Sequence, residues 1–295
     1  MARMTAPPVS VVTGANSGIG RATALHLAEQ GHVVFGTVRT TARAGKLLDA
    51  AEARGVGVEL VELDIGDDRS VRDGFAEVLR RAGHVDHLVN NAGVGGNATV
   101  EEMTSDRLLD VVNIDVMGAV RCAQAVLPHM RERGSGTIVN VTSVAGRIGA
   151  IAQGPYVAAK WALEGLSEQL AIEVAPFGVR VAIIEPGVTK SSIFGKNTDA
   201  PNESGAYEEQ YARMLQMYAA GYLHASDASE VAEIIHHAIH TDDPKLRYPV
   251  SWGGVGITSG RAAMTDEDWV AMGTIESRDE YIAEFERRFG IDIST

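Results

Sequence analysis

Short apolar runs rich in valine and isoleucine alternate along the chain with longer stretches of helical period. VSVVTG (9–14), HVVFGTVR (32–39), VGVELVELD (56–64), VDHLVNNAG (85–93), GTIVNVTS (136–143) and GVRVAIIEPG (178–187) read as strands. Between them the pattern predicts helices near 19–30, 41–54, 67–82, 106–133 and 155–175. The last carries Leu163, Leu166, Leu170 and Val174 on one stripe. Strands alternating with helices make βαβ units, whose crossovers keep the strands parallel and cover both faces of the sheet. The predicted fold class is α/β, a doubly wound parallel sheet (Rossmann-like) in three α/β/α layers. It is read as a single domain over 1–295 with a C-terminal extension.

After Gly187 the pattern loosens. Residues 187–225 mix polar, Gly and Pro positions and read as a substrate loop or lid, with a helical segment at 211–223. DASEVAEIIHHAIH (227–240) opens on cap residues and places Val231, Ile234, Ile235 and Ile239 on one stripe, so a helix is expected. LRYPV (246–250) reads as a last short strand. The extension 251–295 offers one clear element, a charged helix near 277–289.

Composition narrows the function. The 295 residues are 45% hydrophobic, enough for a sizeable core, and carry a net charge of -13. That balance argues against nucleic acid and against anionic membranes as partners, so a small-molecule substrate is expected. The one cysteine, Cys122, lies in an apolar helical stretch and is read as a core residue. No signal-peptide h-region opens the chain and no run of about 18 apolar residues occurs, so a cytoplasmic protein is expected.

An acidic protein can still bind a polyanion where backbone geometry provides the site. TGANSGIG (13–20) lies between the first strand and the first helix, with glycines at 14, 18 and 20. Such a turn lets the backbone approach a ligand closely, and the helix N-terminus behind it offers free N–H groups to a pyrophosphate. Gly14, Asn16, Ser17, Gly18, Ile19 and Gly20 are therefore read as dinucleotide-binding. No Asp or Glu occurs between residues 32 and 48 to hold a ribose 2′-hydroxyl; Val38 stands where that acid belongs and Arg39 follows. An arginine pairs with a 2′-phosphate, which favours NADP(H) over NAD(H).

In GPYVAAKWALEG (154–165), Tyr156 and Lys160 are one helical turn apart on one face. A free tyrosine has a pKa of about 10, and a nearby ammonium favours the phenolate. Moving that value by ~3 units takes about 4 kcal/mol, within reach of one desolvated cation and a second positive group. Tyr156 could then move a proton to or from a substrate oxygen. Ser143 closes the fifth strand, and in open α/β sheets ligands bind beyond the carboxyl ends of strands, so its hydroxyl can meet the same oxygen.

With these residues in place the chain resembles the single-domain branch of the short-chain dehydrogenase/reductase family, closely over about 9–190 and loosely to about 250. TGANSGIG resembles the family's cofactor loop, NNAG (90–93) its motif after the fourth strand, and EPGVT (185–189) its segment beside the nicotinamide. The resemblance implies an NAD(P)-dependent oxidoreductase of a secondary alcohol/ketone pair. It implies a catalytic set of Asn113, Ser143, Tyr156 and Lys160, with Tyr156 as acid/base and Lys160 on the nicotinamide ribose. Asn113 would hold a water linking Lys160 to solvent. Asp64 would meet the adenine, Asn90 would support the cofactor side, and Asn91, Ala92, Gly93, Pro186, Gly187, Val188 and Thr189 would line the cofactor. It also implies a homodimer or homotetramer packed through the helices near 106–133 and 155–175.

The chain departs from the family pattern at Ala159, often Ser, at Glu185, usually Asn, and at Ser17, where no basic residue supports a 2′-phosphate. Ile193, Phe194, Val94 and Val144 suggest a lipophilic cleft, and Met214, Met217, Tyr218 and Tyr222 could line its lid. His236 and His240 share a helical face near Glu233, but no third ligand is visible and no metal site is expected. Two other readings stay open, an idle dinucleotide sensor and a sugar-nucleotide epimerase or dehydratase. The intact Ser143, Tyr156 and Lys160 count against the first. The small region after Gly187 counts against the second.

Overall fold

The structure, a computed structural model, describes residues 6–191 and 201–294. Ile193 and Phe194 lie outside the described residues. Seven parallel strands form one sheet in the order β3-β2-β1-β4-β5-β6-β7. They are β1 (Val9–Val12), β2 (Val33–Val38), β3 (Glu59–Glu62), β4 (His87–Asn90), β5 (Gly136–Val141), β6 (Val179–Pro186) and β7 (Arg247–Val250). The order reverses between β1 and β4, so the crevice at the carboxyl ends of these two strands is the topological switch point.

The five inner strands read as largely apolar runs because both of their faces are buried, whereas the edge strands β3 and β7 are partly exposed. Val12, Val34, Val89, Val139 and Ile184 face one side. There they pack with Leu25 and Leu27 of α1 (Gly18–Glu29), Leu47 of α2 (Gly45–Ala53), and Val231 and Ile235 of α8 (Ala228–His240). Val11, Phe35, Leu88, Ile138 and Val181 face the other. They meet Phe75 of α3 (Asp68–Ala82), Val126 and Met130 of α5 (Gly118–Arg133), and Val174 of α6 (Gly154–Val174). Cys122 is buried in this second layer, and burial pushes its thiol up to about 12, leaving an inert core group.

The helix expected at 106–133 is continuous but not uniform. α4 (Ser105–Val112) runs into α5 through a widened π turn, Asn113–Met117. By length and composition Ser105–Arg133 is the one helix among the described residues able to cross a membrane. In the fold its Val111, Val116, Cys122, Val126 and Met130 are core residues.

The tail is more ordered than its sequence suggests. After α7 (Glu208–His224), α8 and β7 come three helices, α9 (Gly254–Ala262), α10 (Asp266–Met272) and α11 (Arg278–Phe289). Only α11 corresponds to an expected element. α9, GVGITSGRA, holds three glycines, which lower its intrinsic helix propensity. The glycines serve packing: a Cβ at Gly256 or Gly260 would overlap the carbonyl oxygen of Phe289 or Arg288. The two helices therefore cross backbone to backbone.

Candidate active site

Gly14 has φ +68°, and a Cβ there would lie 2.9 Å from Ala92 Cα. The loop after β1 thus rests directly on the segment after β4. Thr13 fastens the two: its Oγ1 accepts from the amides of Asn91 and Ala92 at 2.9 and 3.0 Å. In return, Asn91 Nδ2 donates to Thr13 O at 2.9 Å. Gly20 has no room for a side chain because Asn91 Nδ2 occupies it.

These loops form one end of a cleft of about 830 Å³. Gly14, Asn16, Ser17, Gly18, Ile19, Arg39 and Asp64 line that end. Asn91, Ala92, Gly93, Ser143, Tyr156, Lys160, Pro186, Gly187, Val188 and Thr189 line the middle. Of the residues expected in the site, Gly20, Asn90 and Asn113 do not reach the cleft wall. Gly20 is packed against Asn91. Asn90 is a core residue whose Nδ2 donates to Asn140 Oδ1 at 2.9 Å, joining β4 to β5.

Arg43, four residues after Arg39, also lines the cleft. Both side chains are exposed and neither is in an ion pair among the described residues. The reading from Arg39 alone missed this second cation, although TVRTTAR displays both. Asp64 Oδ1 accepts from the Gly66 amide at 2.9 Å, so one of its oxygens closes the turn after β3. Asn16 Oδ1 is buried without a hydrogen-bond partner among the described residues and would take a donor from a ligand.

Ser143 caps a short 3-10 turn, its Oγ accepting from the Ala145 amide at 3.1 Å and donating to Pro186 O at 3.4 Å. Lys160 lies with its Nζ 5.4 Å from the Tyr156 ring centre, donating to Val141 O at 3.3 Å. Its other partner is Asp115, with Oδ2 at 3.1 Å from Nζ. Asp115 Oδ1 accepts from the Val94 amide at 2.7 Å. Burial alone would favour the neutral amine. The Asp115 carboxylate, with Tyr156 and Glu164 nearby, outweighs burial and holds Lys160 above the ordinary lysine range.

The role implied for Asn113 is therefore corrected. Its Nδ2 donates to Gly66 O at 3.3 Å and its Oδ1 accepts from Arg121 at 2.8 Å, so it ties the helix to the loop after β3. Two residues of helix turn a side chain through about 200°, which sends Asp115 toward Lys160 and Asn113 away from it. The π turn that carries both is of a kind frequent at functional sites. In the sequence the two polar residues of VVNIDVMG are not separable by pattern.

Glu185 is buried at the end of β6, 3.3 Å from Arg147 and 3.5 Å from Arg247. Burial and the like charge of Glu164 still push it up to about 7, against both arginines. The far end of the cleft is largely apolar, with Met214, Met217 and Tyr218 from α7 and Ile257, Trp269, Phe285 and Ile293 from the tail. Tyr218 Oη donates to Asn97 Oδ1 at 2.8 Å. Tyr222 is exposed and is not on the wall.

The family described as short chain dehydrogenase matches residues 8–202. A 3-ketodihydrosphingosine reductase from Bacteroides thetaiotaomicron is 38% identical over 215 residues, covering 72% of this chain and 76% of its own. The 17-beta-hydroxysteroid dehydrogenase type 1 of Mus musculus is 36% identical over 255 residues, covering 82% of this chain and 73% of its own. Among solved structures, a short-chain dehydrogenase from Streptomyces avermitilis superposes with a TM-score of 0.78 at 37% identity, covering 93% of this chain and 100% of its own.

Proposed function

The chain belongs to the short-chain dehydrogenase/reductase family, NAD(P)-dependent enzymes acting on CH–OH and C=O groups. Within it, we propose an NADP(H)-preferring oxidoreductase of a lipophilic secondary alcohol/ketone pair, with Tyr156 as acid/base. One observation carries the reading: Ser143, Tyr156 and Lys160 stand between a dinucleotide loop and an apolar chamber within one cleft.

The residues at the loop end fit the cofactor. The first turn of α1 offers N–H groups to a pyrophosphate, Asn16 Oδ1 lacks a donor among the described residues, and Arg39 with Arg43 suits a 2′-phosphate. When bound, the nicotinamide supplies or accepts the hydride. Tyr156 Oη gives a proton to the ketone oxygen, or takes one from the alcohol. Ser143 Oγ donates to that oxygen and orients it, releasing its long bond to Pro186 O. Lys160 Nζ pairs ionically with Asp115 and donates to Val141 O, and its remaining N–H capacity serves a ribose hydroxyl. Two relatives, named as a 3-ketodihydrosphingosine reductase and a 17-beta-hydroxysteroid dehydrogenase, support a lipid-like carbon skeleton for the substrate.

Turnover of a panel of ketones with NADPH and with NADH tests this. Apolar ketones should be reduced with NADPH preferred, and Arg39→Ala combined with Arg43→Ala should abolish the preference. Preference for NADH, or activity confined to charged ketones, would refute the cofactor or the substrate part respectively.

A further inference from the structure

Five of the nine histidines gather at the edge of the sheet opposite the cleft. His32 immediately precedes β2 and His87 opens β4, both at the amino ends of strands, whereas Gly14 and Ser143 follow carboxyl ends. His236 and His240, one turn apart on α8, face them, with ring centres 4.6 Å apart. The helix pair lacked a third ligand in the sequence. The fold supplies it from 204 residues upstream of His236.

We propose that His32, His236 and His240 bind one divalent transition-metal ion through three imidazole nitrogens. Their ligand atoms all lie within 4.8 Å of one another, and His32 Nε2 is 2.9 Å from His240 Nε2. Imidazoles surrounding Zn²⁺ at ~2.0–2.1 Å place their nitrogens at about this separation, and a set without thiolate or carboxylate suits Zn²⁺, Ni²⁺ or Cu²⁺. His32 Nδ1 is 2.7 Å from Ser10 Oγ, the outer hydrogen bond that fixes a ligating ring and leaves Nε2 for the metal. His32 is buried, His236 half-buried and His240 exposed, so the site is anchored inside and open to solvent for entry. His87, 5.5 Å ring to ring from His32, has a buried Nδ1 with no hydrogen-bond partner among the described residues. A water on the ion's open position is the kind of donor it lacks. The ion would clamp the start of β2 to the last turn of α8.

Calorimetric titration of the tag-free, chelator-treated full chain with Zn²⁺ tests the assignment, with Mg²⁺ as the oxygen-preferring control. The wild type should take up one Zn²⁺ per chain and gain Tm, with no response to Mg²⁺. His236→Gln and His240→Gln, both on accessible side chains, should each weaken Zn²⁺ binding about 10-fold or more while ketone turnover stays unchanged. No Zn²⁺ uptake by the wild type, or uptake unaltered in both variants, would overturn the proposal and leave a hydrogen-bonded histidine cluster.

Discussion

Lys160 and Asp115 form an ion pair with both groups buried, and this pair governs what single substitutions at the site do. Removing one partner of a buried pair leaves an uncompensated charge, so Asp115→Ala should cost about 3–5 kcal/mol in denaturant unfolding. Asp115→Asn, which keeps the acceptor for the Val94 amide, should cost less. Tyr156→Phe removes the proposed proton-transfer group and little packing. We expect kcat to fall roughly 10²–10⁴-fold with NADPH binding retained, read by single-turnover kinetics and cofactor titration. Glu185 provides a pH test. Its folded value, about 7, lies above its ordinary 4.5, so the native state binds more protons than the unfolded state between them. Its contribution is therefore present below pH 4.5 and is lost as the pH rises to about 7. Glu185→Gln should raise Tm at pH 8 relative to wild type, with the gain vanishing toward pH 4, checked by thermal melts across that range.

At the scale of elements, the C-terminal helices close the apolar end of the cleft. Ile257, Phe285 and Ile293 pack in one cluster with Ile148, next to the turn after Ser143. The α9–α11 crossing depends on Gly256 and Gly260 lacking a Cβ. Gly260→Val should separate the two helices and open the apolar chamber. The expected readout is a rise in ketone KM larger than any change in NADPH affinity, together with a lower Tm. Equal effects on both ligands would mean that the tail supports the whole sheet rather than the chamber.

At the scale of the molecule, Leu109, Trp161, Leu166 and Ile172 are exposed on α4 and α6, the helices through which the family resemblance implies subunit packing. Covering such apolar surface favours self-association. A protein carrying Leu166→Glu and Ile172→Glu should run at lower mass than wild type in sedimentation analysis, while wild type should exceed one chain. A monomeric wild type would refute the homo-oligomer.

Sequence by itself determined the alternation of strands and helices, because strands buried on two faces must be apolar throughout and helices buried on one face must be striped. It also singled out Gly14, Ser143, Tyr156 and Lys160, by residue type and by position at strand ends or one helical turn apart, and the fold brings all four to one cleft. Tertiary structure decided what depends on partners distant in the chain. Asp115 rather than Asn113 meets Lys160 because helix rotation is fixed by packing on β4 and α6. α9 forms despite its glycines because α11 lies against it. His32 joins His236 and His240 only when the turn between α1 and β2 comes against the end of α8, which packs beside α1, a juxtaposition that no local pattern encodes.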